Sequence, residues 1–239
     1  MQKIAVFPRF LAAALLLALF LPAFAGCSKE NEPEERRAFI TFLTENITAR
    51  KGVTLPEISR KEEKSFGKYA GHYALLASFQ KDLARETGKN AGELLALTAF
   101  EDLEAVSKAG SSLKKAAKEA DTLRKIVEDL RAKADKEKAK LPLPGDLAPV
   151  YNAAYDKVVS QPAAASANMF SSVREAFAAI LDLLDFIDTH SRDMEIQGRN
   201  INLKNIGLKD ELDAKMAAVR EKALELGEAY AEMMRTMLQ

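Results

Sequence analysis

Apolar residues recur in steps of three and four along most of this chain, and that spacing limits its fold more than any other feature. From the middle of the chain they fall at Val106, Ala109, Leu113, Ala116, Ala120, Leu123, Val127, Leu130 and Ala134. The last stretch repeats the spacing at Leu212, Met216, Val219, Ala223, Leu226, Tyr230, Met233 and Met237. A period near 3.5 residues lays one apolar seam along a helix, whereas a strand needs a period of two. Shorter runs follow the same rule. Phe39, Ile40, Leu43 and Ile47 share one face, with acidic residues in the first turn and Gly52 and Pro56 beyond the end. Ser59 and Glu62 have the spacing of a capping box, opening a helix with Phe66, Tyr69, Tyr73, Leu76, Phe79 and Leu83 inward and Gly88 as its stop. Asn90 and Glu93 would cap the next helix, with Gly110-Ser111-Ser112 its weakest point, and the polar run KADKEKAK would leave the body of the bundle. Asp146 can cap a short helix ending near Pro162, and Phe170, Val173, Phe177, Ile180, Leu184 and Ile187 mark a longer one.

Connections between these stretches are short, so neighbours are expected to run antiparallel. The fold class expected is therefore all-α: an elongated antiparallel helical bundle with coiled-coil-like heptad seams. One segment departs from the pattern. MEIQGRNINLKNIGL alternates around Ile196, Ile201 and Leu203, with Gly198-Arg199-Asn200 between, and predicts a short β-hairpin near 195–204. Its polar residues Arg199, Asn200, Lys204 and Asn205 are the candidate contact surface, because loops on a rigid scaffold often carry binding.

The first 26 residues read differently. Lys3 and Arg9 precede the uncharged run FLAAALLLALFL, Pro22 breaks it, and small residues lead to Cys27, the one cysteine of the chain. These are the parts of a secretory signal peptide. A cysteine directly after Ala25-Gly26 resembles the lipobox of bacterial lipoproteins. That resemblance implies cleavage before Cys27 and a diacylglycerol and N-acyl lipid on it. An uncleaved anchor fits less well, since Phe10 to Gly26 is at the short limit for spanning a bilayer. The chain thus divides into a leader (1–26), a lipidated start with a polar tether (27–33), and a helical domain (34–239). Ser28 rather than Asp after the cysteine favours the outer membrane over the inner one, by analogy with enteric bacteria.

Without residues 1–26 the chain keeps 33 Lys and Arg against 35 Asp and Glu, spread rather than clustered, which is no nucleic-acid footprint. A lipidated Cys27 leaves no thiol for a disulfide or a nucleophile. No phosphate loop and no helical His-Glu-His metal motif occurs. His72 lies off the apolar stripe of its helix and reads as a solvated residue. His190 reads as a helix-end cation. Asp182, Asp185 and Asp188 lack the Glu-x-x-His partners of a carboxylate-bridged metal site and read as a solvated stripe. The tyrosine pairs Tyr69/Tyr73 and Tyr151/Tyr155, and the methionines near the C-terminus, read as core.

Two blocks carry a family resemblance: ERRAFITFLTENIT with GVTLPEISRKEEKSFGKYAGHYAL, and DLAPVYNAAYDKVVSQPA. With the lipobox, they resemble the YiaF-like lipoproteins of Gram-negative bacteria, a family of unknown function. The resemblance implies no catalytic residue, no cofactor beyond the lipid and no metal; only the lipid-bearing Cys27 carries over. The expected role is a lipid-anchored envelope protein facing the periplasm. Such a protein would be structural or bind an envelope protein partner, rather than act as an enzyme. The alternative is a carrier holding a small apolar ligand inside the bundle.

Overall fold

The computed structural model describes residues 31–96 and 103–238, with side chains left undescribed at 89–91, 93, 95 and 96. Cys27 and the leader lie outside the described residues. Among the described residues eight α-helices and one hairpin follow in order: α1 (Glu32–Leu43), α2 (Arg60–Phe66), α3 (Ala70–Ala96), α4 (Leu103–Lys108), α5 (Gly110–Lys138), α6 (Leu147–Tyr155), α7 (Gln161–Thr189), β1 (Met194–Gln197), β2 (Asn200–Leu203) and α8 (Lys209–Leu238).

Cross-helix contacts fix the directions. Tyr155 donates its hydroxyl proton to Asp135 Oδ1 at 2.7 Å, while Gly110 approaches Leu184, so α5 runs against α6 and α7. Lys215 meets Asp182 at 2.7 Å and Lys222 meets Glu175 at 3.3 Å, so α8 runs against α7. Lys133 reaches Asp82 at 4.0 Å between α5 and α3. Helix α7 is the hub, packed on α5 on one side and α8 on the other.

The expected capping box is present: Glu62 N–H donates to Ser59 Oγ, and Ser59 N–H donates to the Glu62 carboxylate. Four other expectations are corrected. Gly88 does not stop α3, which runs on to Ala96; one glycine costs a helix only about 1 kcal/mol, less than packing returns. Asn90 therefore opens no helix. Pro162 does not separate two helices. A π turn at Asp156–Ser160 precedes it and lets α6 pass directly into α7, the wider turn absorbing the carbonyl that the proline ring would strike. The run 133–140 stays on the body, with Ala134 buried, Asp135 on Tyr155 and Lys138 over the Tyr155 ring at 4.3 Å. The break expected near Gly110 is present one residue earlier, at Ala109.

The two expected apolar seams are covered unevenly. Leu113, Ala116, Ala120, Leu123, Val127 and Ala134 are buried along α5. On α8 only Leu212 and Ala229 are buried, whereas Ala223 and Tyr230 of the expected seam are exposed. The reason is position: α5 packs on α3 as well as α7, while α8 rests chiefly on α7.

The hairpin forms where alternation predicts it, with Met194 paired to Leu203 and Ile196 to Ile201. Asn200 belongs to β2, leaving a two-residue turn in which Gly198 takes φ 58°, a value a glycine adopts without strain. Met194 is buried with Leu183, Phe186, Ile187 and Leu212, and Ile196, Ile201 and Leu203 pack on that group. Leu103 N–H donates to Gly198 O at 3.1 Å, tying the start of α4 to the turn.

Candidate functional site

Two poles of the bundle concentrate its polar and aromatic chemistry. At the first, α1, α2, the start of α3 and α6 converge, so the two sequence blocks of the family resemblance, far apart in the chain, meet in space. Phe39 stacks on Tyr69 at 5.9 Å between ring centroids and sits 5.3 Å from Phe66, while Phe42 packs on Phe66 and Tyr73. His72 lies inside this group, 4% exposed, with the rings of Tyr69, Tyr151 and Phe39 at 5.2, 5.7 and 6.2 Å. The expectation of a solvated His72 is thus overturned. Phe39 of α1 and Tyr151 of α6, which also touch each other, both reach His72, so this turn of α3 is covered beyond its apolar stripe. His72 Nε2 is 3.3 Å from Pro142 O, and burial pushes its pKa below the ordinary histidine value.

The tyrosine hydroxyls here are all engaged. Tyr151 donates to His72 O at 2.9 Å, Tyr73 to Pro56 O, and Tyr69 to Glu32 Oε1. The Tyr69 hydrogen bond holds the Glu32 carboxyl below its ordinary value, helped by Arg36 at 3.1 Å and Lys68 at 3.5 Å. Burial pushes Tyr69 and Tyr73 up to about 12, and pushes Tyr151 and Tyr155 further in the same direction. Phenols so placed stay protonated near neutrality and act as donors that clasp segments together. Gln80 completes the clasp, accepting from Leu55 N–H at 3.1 Å and donating to Val53 O. Arg36 Nε reaches Asp146 at 3.1 Å and joins α1 to the start of α6. The arrangement joins chain segments that lie far apart in the sequence.

The hairpin forms the second pole. Arg199, Asn200, Lys204 and Asn205 are all exposed there, but not as one patch. Arg199 and Asn200 stand at the turn. Lys204 and Asn205 stand at the base, a strand length or roughly 13 Å away. Asn205 Oδ1 accepts from Gly207 N–H at 3.0 Å and caps a short turn. Beside it Ile206 is 76% exposed, an apolar neighbour that the alternation pattern did not single out. Asp182, Asp185 and Asp188 are exposed as expected, with Asp182 paired to Lys215. His190 packs its ring 4.7 Å from Phe186 at the end of α7.

The described grooves are open and lie on the surface. The largest, about 620 Å³, is floored by Leu55, Ile58, Tyr73 and Ala77. A second of about 460 Å³ lies between α7 and α8 beside Phe177, Ile180, Leu226 and Tyr230. A third, about 430 Å³, is polar, with Ser171, Glu175, Glu228 and Arg235 on its walls. Among the described residues no three His, Cys, Asp or Glu side chains converge as metal ligands, and no helix is long and apolar enough to cross a membrane.

Residues 13–234 match the family described as "Protein of unknown function (DUF3053)". The chain belongs to that family. It is also similar to the "Uncharacterized protein YiaF" of Escherichia coli strain K12, of E. coli O157:H7 and of Shigella flexneri, with 28% identity over 155 residues in each case. These matches cover 63% of this chain, and the chain spans 64% of the length of those relatives. No solved structure matches it. The family assignment agrees with the resemblance carried by the two blocks that form the first pole.

Proposed function

We propose that this member of the family is a lipid-anchored protein of the bacterial envelope that works by binding another envelope protein rather than by catalysis. Cys27 carries the lipid, the domain faces the periplasm, and the outer membrane is favoured over the inner one. The observation that carries the reading is the placement of the two poles. Glu32 opens the first helix at the pole where Arg36 meets Asp146, five residues along the chain from Cys27. The hairpin stands at the other end of the α6–α7 run, roughly 65 Å away at about 1.5 Å per residue. An anchor at one end would hold the hairpin well clear of the lipid, with Arg199, Asn200, Lys204, Asn205 and Ile206 outward. The carrier reading asks for a hollow interior, whereas large rings fill the core at the first pole and the described grooves open to solvent.

In-cell crosslinking followed by mass spectrometry tests this. Arg199→Ala with Lys204→Ala should leave melting close to wild type, since exposed polar side chains contribute within about 0.5 kcal/mol, yet should remove captured envelope proteins. An unchanged set of captured proteins would remove the hairpin as the contact surface. Cys27→Ala should leave an unprocessed, unlipidated precursor; a normal-sized mature chain from that variant would end the anchor reading.

A further inference from the structure

Helix α8 has a second apolar face that neither the bundle nor the hairpin covers. The first face, through Leu212, Met216, Val219, Leu226 and Met233, rests against α7 and the hairpin. The second lies at Ala217, Leu224, Gly227, Ala231, Met234 and Leu238, in steps of seven, three, four, three and four. At about 100° per residue it sits well over a quarter-turn round the helix from the first. All six are exposed, Leu224 at 71% and Leu238 at 66%. A solvated helix face has no need of leucine or methionine at heptad spacing; a helix-to-helix seam does.

We propose that this face pairs with the same face of a second copy, the two α8 helices running antiparallel about a two-fold axis level with Ala229. Charge and side-chain size both select the direction and the register. Arg220 lies on the stripe itself. A parallel pair would set two Arg220 guanidinium groups against each other in the seam, a like-charge contact that disfavours that direction. The antiparallel pair brings Arg220 to the C-terminal end of the other helix, beside Leu238, where a cation complements the helix dipole. Along the flank stand Glu221, Glu228 and Arg235, seven residues apart. Antiparallel pairing sets Glu221 beside Arg235 of the second copy at both ends and Glu228 beside its own counterpart at the axis, so two opposite-charge contacts flank one like-charge contact. Gly227 then faces Ala231 at the crossing, allowing close backbone approach, while Leu224 fills against Met234. The groove beside Phe177, Ile180 and Tyr230 adjoins the stripe and widens the apolar area. Nothing in this pairing requires the Cys27 lipid or the hairpin surface.

The full-length chain, solubilised in detergent, tests it by sedimentation equilibrium. The wild type should be a dimer. Leu224→Arg, at an exposed position, should keep the wild-type circular dichroism and weaken dimerisation by at least about tenfold. Glu221→Arg and Arg235→Glu should each weaken it, and the two together should restore it. A monomeric wild type at about 100 µM, or a Leu224→Arg protein that dimerises as well as wild type, would overturn the pairing. Charge reversals that fail to rescue each other would overturn the antiparallel register.

Discussion

A neutral imidazole enclosed by rings has one way to meet acid, which is to open its surroundings. His72 has Tyr69, Tyr151 and Phe39 around it and a backbone carbonyl as its polar contact. Its folded pKa lies below the ordinary 6.5, through burial first and Lys68 in addition. Between the folded value and 6.5 the unfolded chain binds more protons than the native one, so stability is full above 6.5 and falls as the pH drops through that window. Glu32 and Glu175 are shifted below 4.5 and act in more acidic solution. Denaturant unfolding at a series of pH values should therefore show a loss from about pH 6.5 downward in the wild type, and His72→Leu should flatten it there. An equal slope in both proteins would assign it to another group. Gly67 is a second residue with a sharp expectation. It takes φ 50° and ψ −122°, and a Cβ there would lie 2.0 Å from the Glu35 carboxyl carbon. Gly67→Ala should cost about 1–3 kcal/mol in thermal unfolding. Neither residue was readable from spacing. A stripe identifies the middle of a buried face, and His72 sits at the margin of one that Phe39 and Tyr151 extend.

At the scale of the helix, the same sequence signal has two outcomes. Steps of three and four identify a face without saying how many neighbours will cover it. Helix α7 is covered on two sides, and Phe177 is fully buried. Phe177→Ala should cost about 3–5 kcal/mol, while Leu224→Ala on the outer face of α8 should stay within about 0.5 kcal/mol in dilute, monomeric protein. Chemical unfolding of both variants at low concentration checks the pair; similar losses would mean that α8 is covered where it is drawn as bare. Helix ends followed local chemistry where a side chain makes the cap, as at Ser59 and Glu62. They failed where one residue was asked to break a helix that packing holds together, as at Gly88 and Pro162. The second face of α8 follows the same three- and four-residue spacing as its inner seam, so the periodicity alone does not set Leu224 and Leu238 apart.

Over the whole molecule, topology was the most legible property. Short connections dictated antiparallel neighbours except at α6 and α7, which run on through the π turn, and the segment with alternation became a hairpin. The convergence of α1, α3 and α6 on a single aromatic centre was not legible, since Phe39, His72 and Tyr151 are brought together only by the paths of three helices. The hairpin should matter to the far end as a closure. Ile201→Asp, placing a carboxylate against Leu183, Phe186 and Met194, should lower stability by roughly 1–3 kcal/mol, with amide exchange rising first at 183–203; faster exchange at the opposite pole instead would show that the hairpin does not close its own end. The π turn at Asp156–Ser160 has a larger consequence. Each residue of an α-helix advances the direction of its side chains by about 100°, and the wider turn holds one residue that the regular winding does not count. It works as a fixed phase offset between two cogs on one axle: Tyr151 and Tyr155 mesh with the aromatic pole, and α7 beyond the turn meshes with α5 and α8. Losing a single residue there would yield a smoother helix and a mistimed machine, with one cog or the other turned out of mesh. Length in these five positions is thus held to the single residue by both ends of the axle at once.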